Sequence, residues 1–209
     1  MNAYVVYGQD NESYAFREHP SLTPHQEIHQ SVVPDLSGTP RAGVHRCETC
    51  DELLAKWEES LNGLVIKKKS YDVSSTYDGI TIVSDAFKEV YERNRFTGLV
   101  FQPLPDSPSF YGVQATRTVQ YDAGRRGTRF LDQCSSCGRY ESIVGATPVY
   151  LKPGMVIGDL EFVRTDVEFG SSDGKSPLLL CGKSAGDVLQ SESMKGIELL
   201  EVEPLVTGS

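Results

Sequence analysis

The chain has 209 residues, 39% of them hydrophobic and 23% charged, with a formal net charge of −9 and a pI near 4.9. That composition excludes wholesale disorder and provides enough chain for one substantial core or two small ones. Clustered Lys and Arg are what neutralise a phosphate backbone, so a chain this acidic is a poor general nucleic-acid binder and suits a basic partner better.

At the start, Ala3 to Tyr7 is a β-branched and aromatic run, and the turn residues Gly8 to Asn11 after it predict a strand entering a hairpin. Neither Met1 to Gln9 nor any later window has the apolar run of a signal peptide or membrane helix, so no membrane is expected and the compartment is the cytoplasm. Prolines at 20, 24, 34 and 40 make His19 to Gly43 an extended surface loop. His19, His25 and His29 lie in it, with His45 just beyond. They have no HxxxH helical spacing and read as exposed loop histidines.

Cys47-Glu48-Thr49-Cys50 follows, and Cys134-Ser135-Ser136-Cys137-Gly138 is its distant counterpart. Two cysteines separated by two residues sit on one tight turn with both sulfurs aimed at one point, which is half of a tetrahedral zinc site; two pairs make a whole one. Gly138 favours the turn because glycine takes positive φ freely, and Asp51 holds that place in the first pair. A redox dithiol, a disulfide or an uncoordinated pair has the same short spacing, and 84 residues from Cys50 to Cys134 is far more than compact zinc fingers use. An odd total of five cysteines suits a reducing compartment with four on a metal. Four thiolates leave no open position, so such a zinc is structural.

Leu53, Leu54, Trp57 and Leu61 have helical spacing and predict a short amphipathic helix over 51–61. Beyond it the chain repeats. Gly63-Leu64-Val65-Ile66 with Gly79 answers to Gly154-Met155-Val156-Ile157 with Gly170, and Tyr71 to Phe162, 91 positions on. Ile80 to Val83 answers to Leu178 to Cys181 at a shift of 98. The same shift carries the Phe87, Val90, Tyr91 stripe onto Ala185, Val188, Leu189, and Thr97-Gly98-Leu99 onto Lys195-Gly196-Ile197. Each glycine stands where a helix ends, and both halves close on Pro-Leu, at 103 and 204. Cys181 falls opposite Val83 and is a core position. Between the halves, Tyr111 to Tyr121 alternates apolar and polar as one half-buried strand, and Asp122 to Gly127 turns it back through Phe130 and Leu131. Lys67-Lys68-Lys69 and Arg125-Arg126 are short enough to be solvated faces.

The expected fold is α+β, in two pseudo-duplicated halves, 1–105 and 106–209. Each has a CxxC knuckle and a strand-helix-strand unit, and a shared zinc on Cys47, Cys50, Cys134 and Cys137 joins them into one unit. The helices are long enough to cross between parallel strands, so each sheet is expected to be partly parallel.

The two separated CxxC pairs and the run Cys134-Ser135-Ser136-Cys137-Gly138-Arg139 resemble the double-CXXCG motif proteins, a family expanded as paralogues in myxobacteria. The resemblance continues through Asp159-Leu160-Glu161-Phe162, Leu178 to Leu180 and Lys195 to Leu199, and departs from the pattern at Asp51. Some members are immunity proteins, each binding a toxin delivered between neighbouring cells. The resemblance therefore implies a cytoplasmic, non-catalytic protein whose partner is a cognate protein toxin. No GxSxG, P-loop, GxGxxG, HExxH or Cys-His arrangement marks an enzyme. A zinc-ribbon-like nucleic-acid or protein interaction module accounts for the cysteines equally well, but the nucleic-acid version has the negative charge against it.

Overall fold

A computed structural model describes residues 3–16 and 43–203. The loop histidines 19, 25 and 29, most of the Pro-rich stretch and the closing Pro204-Leu205 lie outside the described residues. The elements in chain order are β1 (Ala3–Asp10), β2 (Val73–Ser75), β3 (Thr81–Ser84), α1 (Asp85–Arg93), β4 (Leu99–Pro103), β5 (Phe110–Ala115), β6 (Thr118–Val119) and α2 (Ala123–Arg126). Then come β7 (Arg129–Gln133), β8 (Tyr140–Val144), β9 (Phe162–Ser171), β10 (Ser176–Gly182), α3 (Lys183–Ser191) and β11 (Ile197–Glu201). Among the described residues, eleven strands and three α-helices make a mixed α+β fold, with strand order β4-β5-β3-β2-β1-β10-β9-β8-β7; β11 joins through β1 and β6 through β9. No helix among the described residues is long and apolar enough to cross a membrane.

α1 begins where Ser84 caps it, its hydroxyl accepting the Phe87 N–H, with Asp85 on the positive end of the helix dipole and Arg93 on the negative end. Phe87, Val90 and Tyr91 are its buried stripe, as their spacing requires. α3 begins at Gly182 without a side-chain cap and buries Ala185, Gly186 and Leu189. Both helices cover one face of the sheet, where Phe87 and Leu189 meet Val83, Val113, Phe162 and Cys181. The opposite face has two separate clusters. One gathers Leu53, Leu61, Leu64 and Ile66 over Ile80 and Ile82; the other gathers Val149, Leu151 and Ile157 over Val5, Leu178 and Leu180.

The correspondence of elements goes further than the sequence pattern. α1 and α3 differ by 98 positions at both ends, and β4 and β11 do the same. β3 and β4 both pair antiparallel with β5, and β10 and β11 both pair antiparallel with β1. Even the register agrees. Ile82 faces Gly112 and Leu180 faces Val5; Phe101 faces Val113 and Leu199 faces Val6. Each helix therefore does cross between two parallel strands, but an antiparallel strand lies between them, a split β-α-β unit. The central strand comes from different places. β5 follows its unit in the chain, whereas β1 precedes its own by most of the sequence. Among the described residues, direct parallel pairing is found for β1 with β2, for β6 with β9 and at the isolated Thr97–Glu161 bridge.

The two units also touch reciprocally. Thr97 donates its N–H to Leu160 O and accepts from the Phe162 N–H, which brings Gly98 so close to β9 that a Cβ there would run into the Phe162 carbonyl oxygen. In the mirror contact, Lys195 accepts from Asp72 and Val73, and a Cβ on Gly196 would lie 2.5 Å from the Val73 oxygen. Both glycines have positive φ, 94° and 77°, so both space and conformation demand glycine there.

Four local expectations are corrected. β1 does not stop at Tyr7 to enter a hairpin; it runs to Asp10 because Gly8 passes against the Ser74 backbone, where a side chain would clash. Residues 51–61 form successive turns, since Leu53 bridges back to Arg46 and Lys56 leaves the segment to bond the Asp173 and Lys175 carbonyls. Gly63–Ile66 and Gly154–Ile157 lie outside the strands but still bury Leu64, Ile66 and Ile157. The strand expected over 111–121 breaks at Thr116 and Arg117, where the chain leaves β4 to run beside β9, and β7 pairs with β8. Replacing Phe87 by Ala is expected to cost about 3–5 kcal/mol in urea unfolding. A loss under about 1 kcal/mol would place the ring outside the packed face.

Candidate metal centre

Both CxxC pairs lie on knuckles of the same construction. Cys47 donates its N–H to Glu52 O and accepts from Asp51 N–H, each at 2.9 Å. Cys134 donates to Arg139 O at 2.8 Å and accepts from Gly138 N–H at 2.9 Å. The first knuckle is closed by the Arg46–Leu53 bridge, and the second is the tip of the β7–β8 hairpin. Asp51 takes φ 57° and Gly138 φ 73°, so the departure from the glycine pattern leaves the turn intact. Asp is among the few non-glycine residues that tolerate this region, because its short polar side chain bonds locally.

The knuckles face each other residue for residue. Cys47 Sγ is 3.9 Å from Cys134 Sγ, Cys50 Sγ is 3.7 Å from Cys137 Sγ, and the Thr49 and Ser136 hydroxyls are 2.7 Å apart. Like meeting like at three places is the mark of a local two-fold axis. All four sulfurs lie within 4.8 Å of one another, and no histidine or carboxylate joins the group among the described residues. A metal–sulfur bond of about 2.3 Å in a regular tetrahedron sets neighbouring sulfurs about 3.8 Å apart, close to the two measured separations. A disulfide needs about 2.05 Å, and all five cysteines are free. The four cysteines are compatible with a metal site.

Backbone N–H groups aim at the first sulfur of each knuckle. Those of Cys50 and Thr49 hold the Cys47 thiol below its usual range, and those of Cys137 and Ser136 bring Cys134 down to about 6. The Glu52 N–H pulls Cys50 the same way, but burial and the three neighbouring sulfurs outweigh it and push Cys50 up to about 12. Without a cation, four sulfurs this close cannot all ionise. Cys181 stands apart in the helix-covered core, where burial raises it to about 12 and leaves it an inert hydrophobe. His45 is exposed, with Nδ1 3.3 Å from Glu59.

A buried ionic network missed by the sequence reading supports the first knuckle. Lys175 Nζ donates to Glu52 at 2.8 Å, and Arg46 forms two bonds with Asp173 at 3.1 and 2.8 Å. Lys56 Nζ donates to the carbonyls of Asp173 and Lys175 at 2.7 and 2.6 Å, and burial lowers its pKa to about 8. The only signal available in sequence was position, since Arg46 and Glu52 flank the cysteine turn. Their partners lie more than a hundred residues away, between β9 and β10.

No family model matches the sequence, and no curated protein matches it.

Proposed function

We propose that this is a non-catalytic immunity-type protein of the cytoplasm, which binds and neutralises a cognate bacterial toxin and is held together by one structural zinc on Cys47, Cys50, Cys134 and Cys137. The observation that carries the zinc assignment is the closed cluster of four sulfurs drawn from two distant segments. Zinc supplies four strong bonds to thiolate there and no open position, so the residues hold chain segments together and move no proton. The binding role rests on the resemblance of the motif residues to the double-CXXCG proteins, joined to the net charge of −9. The matched registers and reciprocal contacts of the two split units support reading them as pseudo-duplicated halves.

An acidic surface accelerates encounter with a basic toxin at low salt, and a stable inhibitory contact buries about 1,200–2,000 Å². Co-expression with the product of the adjacent upstream gene in a sensitive host tests the reading. Rescue of growth and co-purification as a complex are the expected results. A toxic neighbour with neither rescue nor complex overturns the immunity role. Nucleic-acid binding by the purified chain at physiological salt would put the zinc-ribbon-like module in its place.

A further inference from the structure

The two split units differ at one edge. β4 and β11 are equivalent strands, and among the described residues each pairs with a single neighbour, β5 and β1 respectively. Bonds from Val202 N–H to Ala3 O and from Gln9 N–H to Gly196 O fix which groups of β11 face β1. By the alternation of an antiparallel ladder, the N–H and C=O groups of Ile197, Leu199 and Glu201 point away from it. In β4 two of the three equivalent outward positions, Leu99 and Pro103, are blunted. The Leu99 N–H donates to the Tyr91 hydroxyl at 3.1 Å, and Pro103 has no N–H to offer. In β11 Leu189 stands where Tyr91 would be, and Glu201 stands where Pro103 would be. The protection that an edge strand ordinarily carries against pairing is absent from these two positions.

The space beside the strand differs in the same sense. In the first unit Tyr91, Phe96 and Phe101 fill the corner between helix end and edge strand, with ring centroids 5.9 and 4.9 Å apart in edge-on contacts. Their counterparts at the 98-residue shift are Leu189, Met194 and Leu199, which line a groove of about 270 Å³. From Ile197 to Glu203 the chain carries Glu198, Glu201 and Glu203 and no basic residue, and all three glutamates are exposed.

We propose that β11 is a docking strand for an extended, cationic segment of a partner protein, which adds to the sheet at Ile197, Leu199 and Glu201 and seats an aromatic side chain in the groove. Main-chain bonds to an open edge supply affinity, and side-chain pockets at alternate positions supply selectivity. The glutamates select Lys or Arg beside the ring, and the groove matches in place the rings of the first unit. This rests on the reading of the chain as a binding protein and names its contact face.

The test is selection of a displayed library of short random peptides against the full chain, with two variants as counter-targets. Leu199→Pro removes an outward N–H and no bond to β1. The triple variant Leu189→Tyr, Met194→Phe, Leu199→Phe fills the groove with the first unit's own side chains and keeps the measurement meaningful should the proline variant misfold. Expected are peptides with one aromatic among alternating Lys or Arg, which slow hydrogen exchange at Ile197, Leu199 and Glu201 and bind each folded variant about tenfold or more weakly. No enriched peptide, peptides without basic residues, equal binding to the filled variant, or protection elsewhere overturns the proposal. So does self-association of the wild type abolished by Leu199→Pro, which makes a second copy the occupant. Failure of the immunity role is separate. Selected peptides without toxin rescue sink only that role, and toxin rescue undisturbed by either variant sinks only the docking strand.

Discussion

Purified protein is expected to hold one zinc per chain, and Cys134→Ser, or chelation under reducing conditions, is expected to lower its melting temperature by about 10 °C or more. Bringing Cys50 and Cys134 together across 84 residues of flexible chain costs about 4 kcal/mol by loop-closure entropy. Apparent zinc binding in small finger peptides is about 10–16 kcal/mol and exceeds this several-fold. Because ligand binding to the native state adds directly to stability, its removal returns the difference. At this chain length each kcal/mol is worth about 2–4 °C, so a difference of about 6 kcal/mol or more gives the stated shift. Cys181→Val, which installs the side chain of the equivalent Val83, is the control and keeps the full equivalent of zinc. Metal analysis with thermal melts decides the matter: under about half an equivalent, with a melt indifferent to chelator, removes zinc from the account.

The second large effect is expected from Lys175→Met. Lys175 and Glu52 have side chains only 4% and 8% exposed, and the ammonium also donates to the carbonyls of Glu141 and Ser172. Deleting one member of a buried pair leaves its partner charged and dry, at a cost of about 3–5 kcal/mol. The attraction between the two charges is offset by what it took to dehydrate both, so the double variant Glu52→Gln, Lys175→Met is expected to regain most of that loss. Urea unfolding of the two single variants and the double one measures the coupling. Near-additive losses would mean that the two residues act independently. Glu52 O also accepts the Cys47 N–H, so the single variant is expected to weaken metal retention along with the fold.

How much of this was legible in the sequence depends on how local each cause is. The knuckles were, because a CxxC turn is specified within six residues, and even the imperfect Asp51 adopts the conformation its neighbours require. The two helices were, because Phe87, Val90 and Tyr91 and their counterparts show their period within two turns. The helix expected over 51–61 failed because its spacing was accidental. Leu53 and Leu61 are buried in the cluster over Ile80 and Ile82, whereas Leu54 is 37% exposed and Trp57 reaches across to Glu168. The partners of Glu52 and Arg46, and those of β1, were beyond reach, since nothing near a residue states which distant strand it will lie beside.

The placement of β1 orders events in time. Of the described strands β1 is synthesised first, yet the two that flank Tyr4 to Val6, β10 and β11, are among the last. The unit built on β5 has all its strands in one continuous run and is free to collapse while synthesis proceeds. The unit built on β1 is a long-range closure, whose loop entropy must be met before any of its ladder bonds form, which makes it the slow step of folding. Until then Tyr4 to Val6 is an unpaired apolar strand in the cell. A nascent chain halted before Ile197 would present it without one of its two natural neighbours.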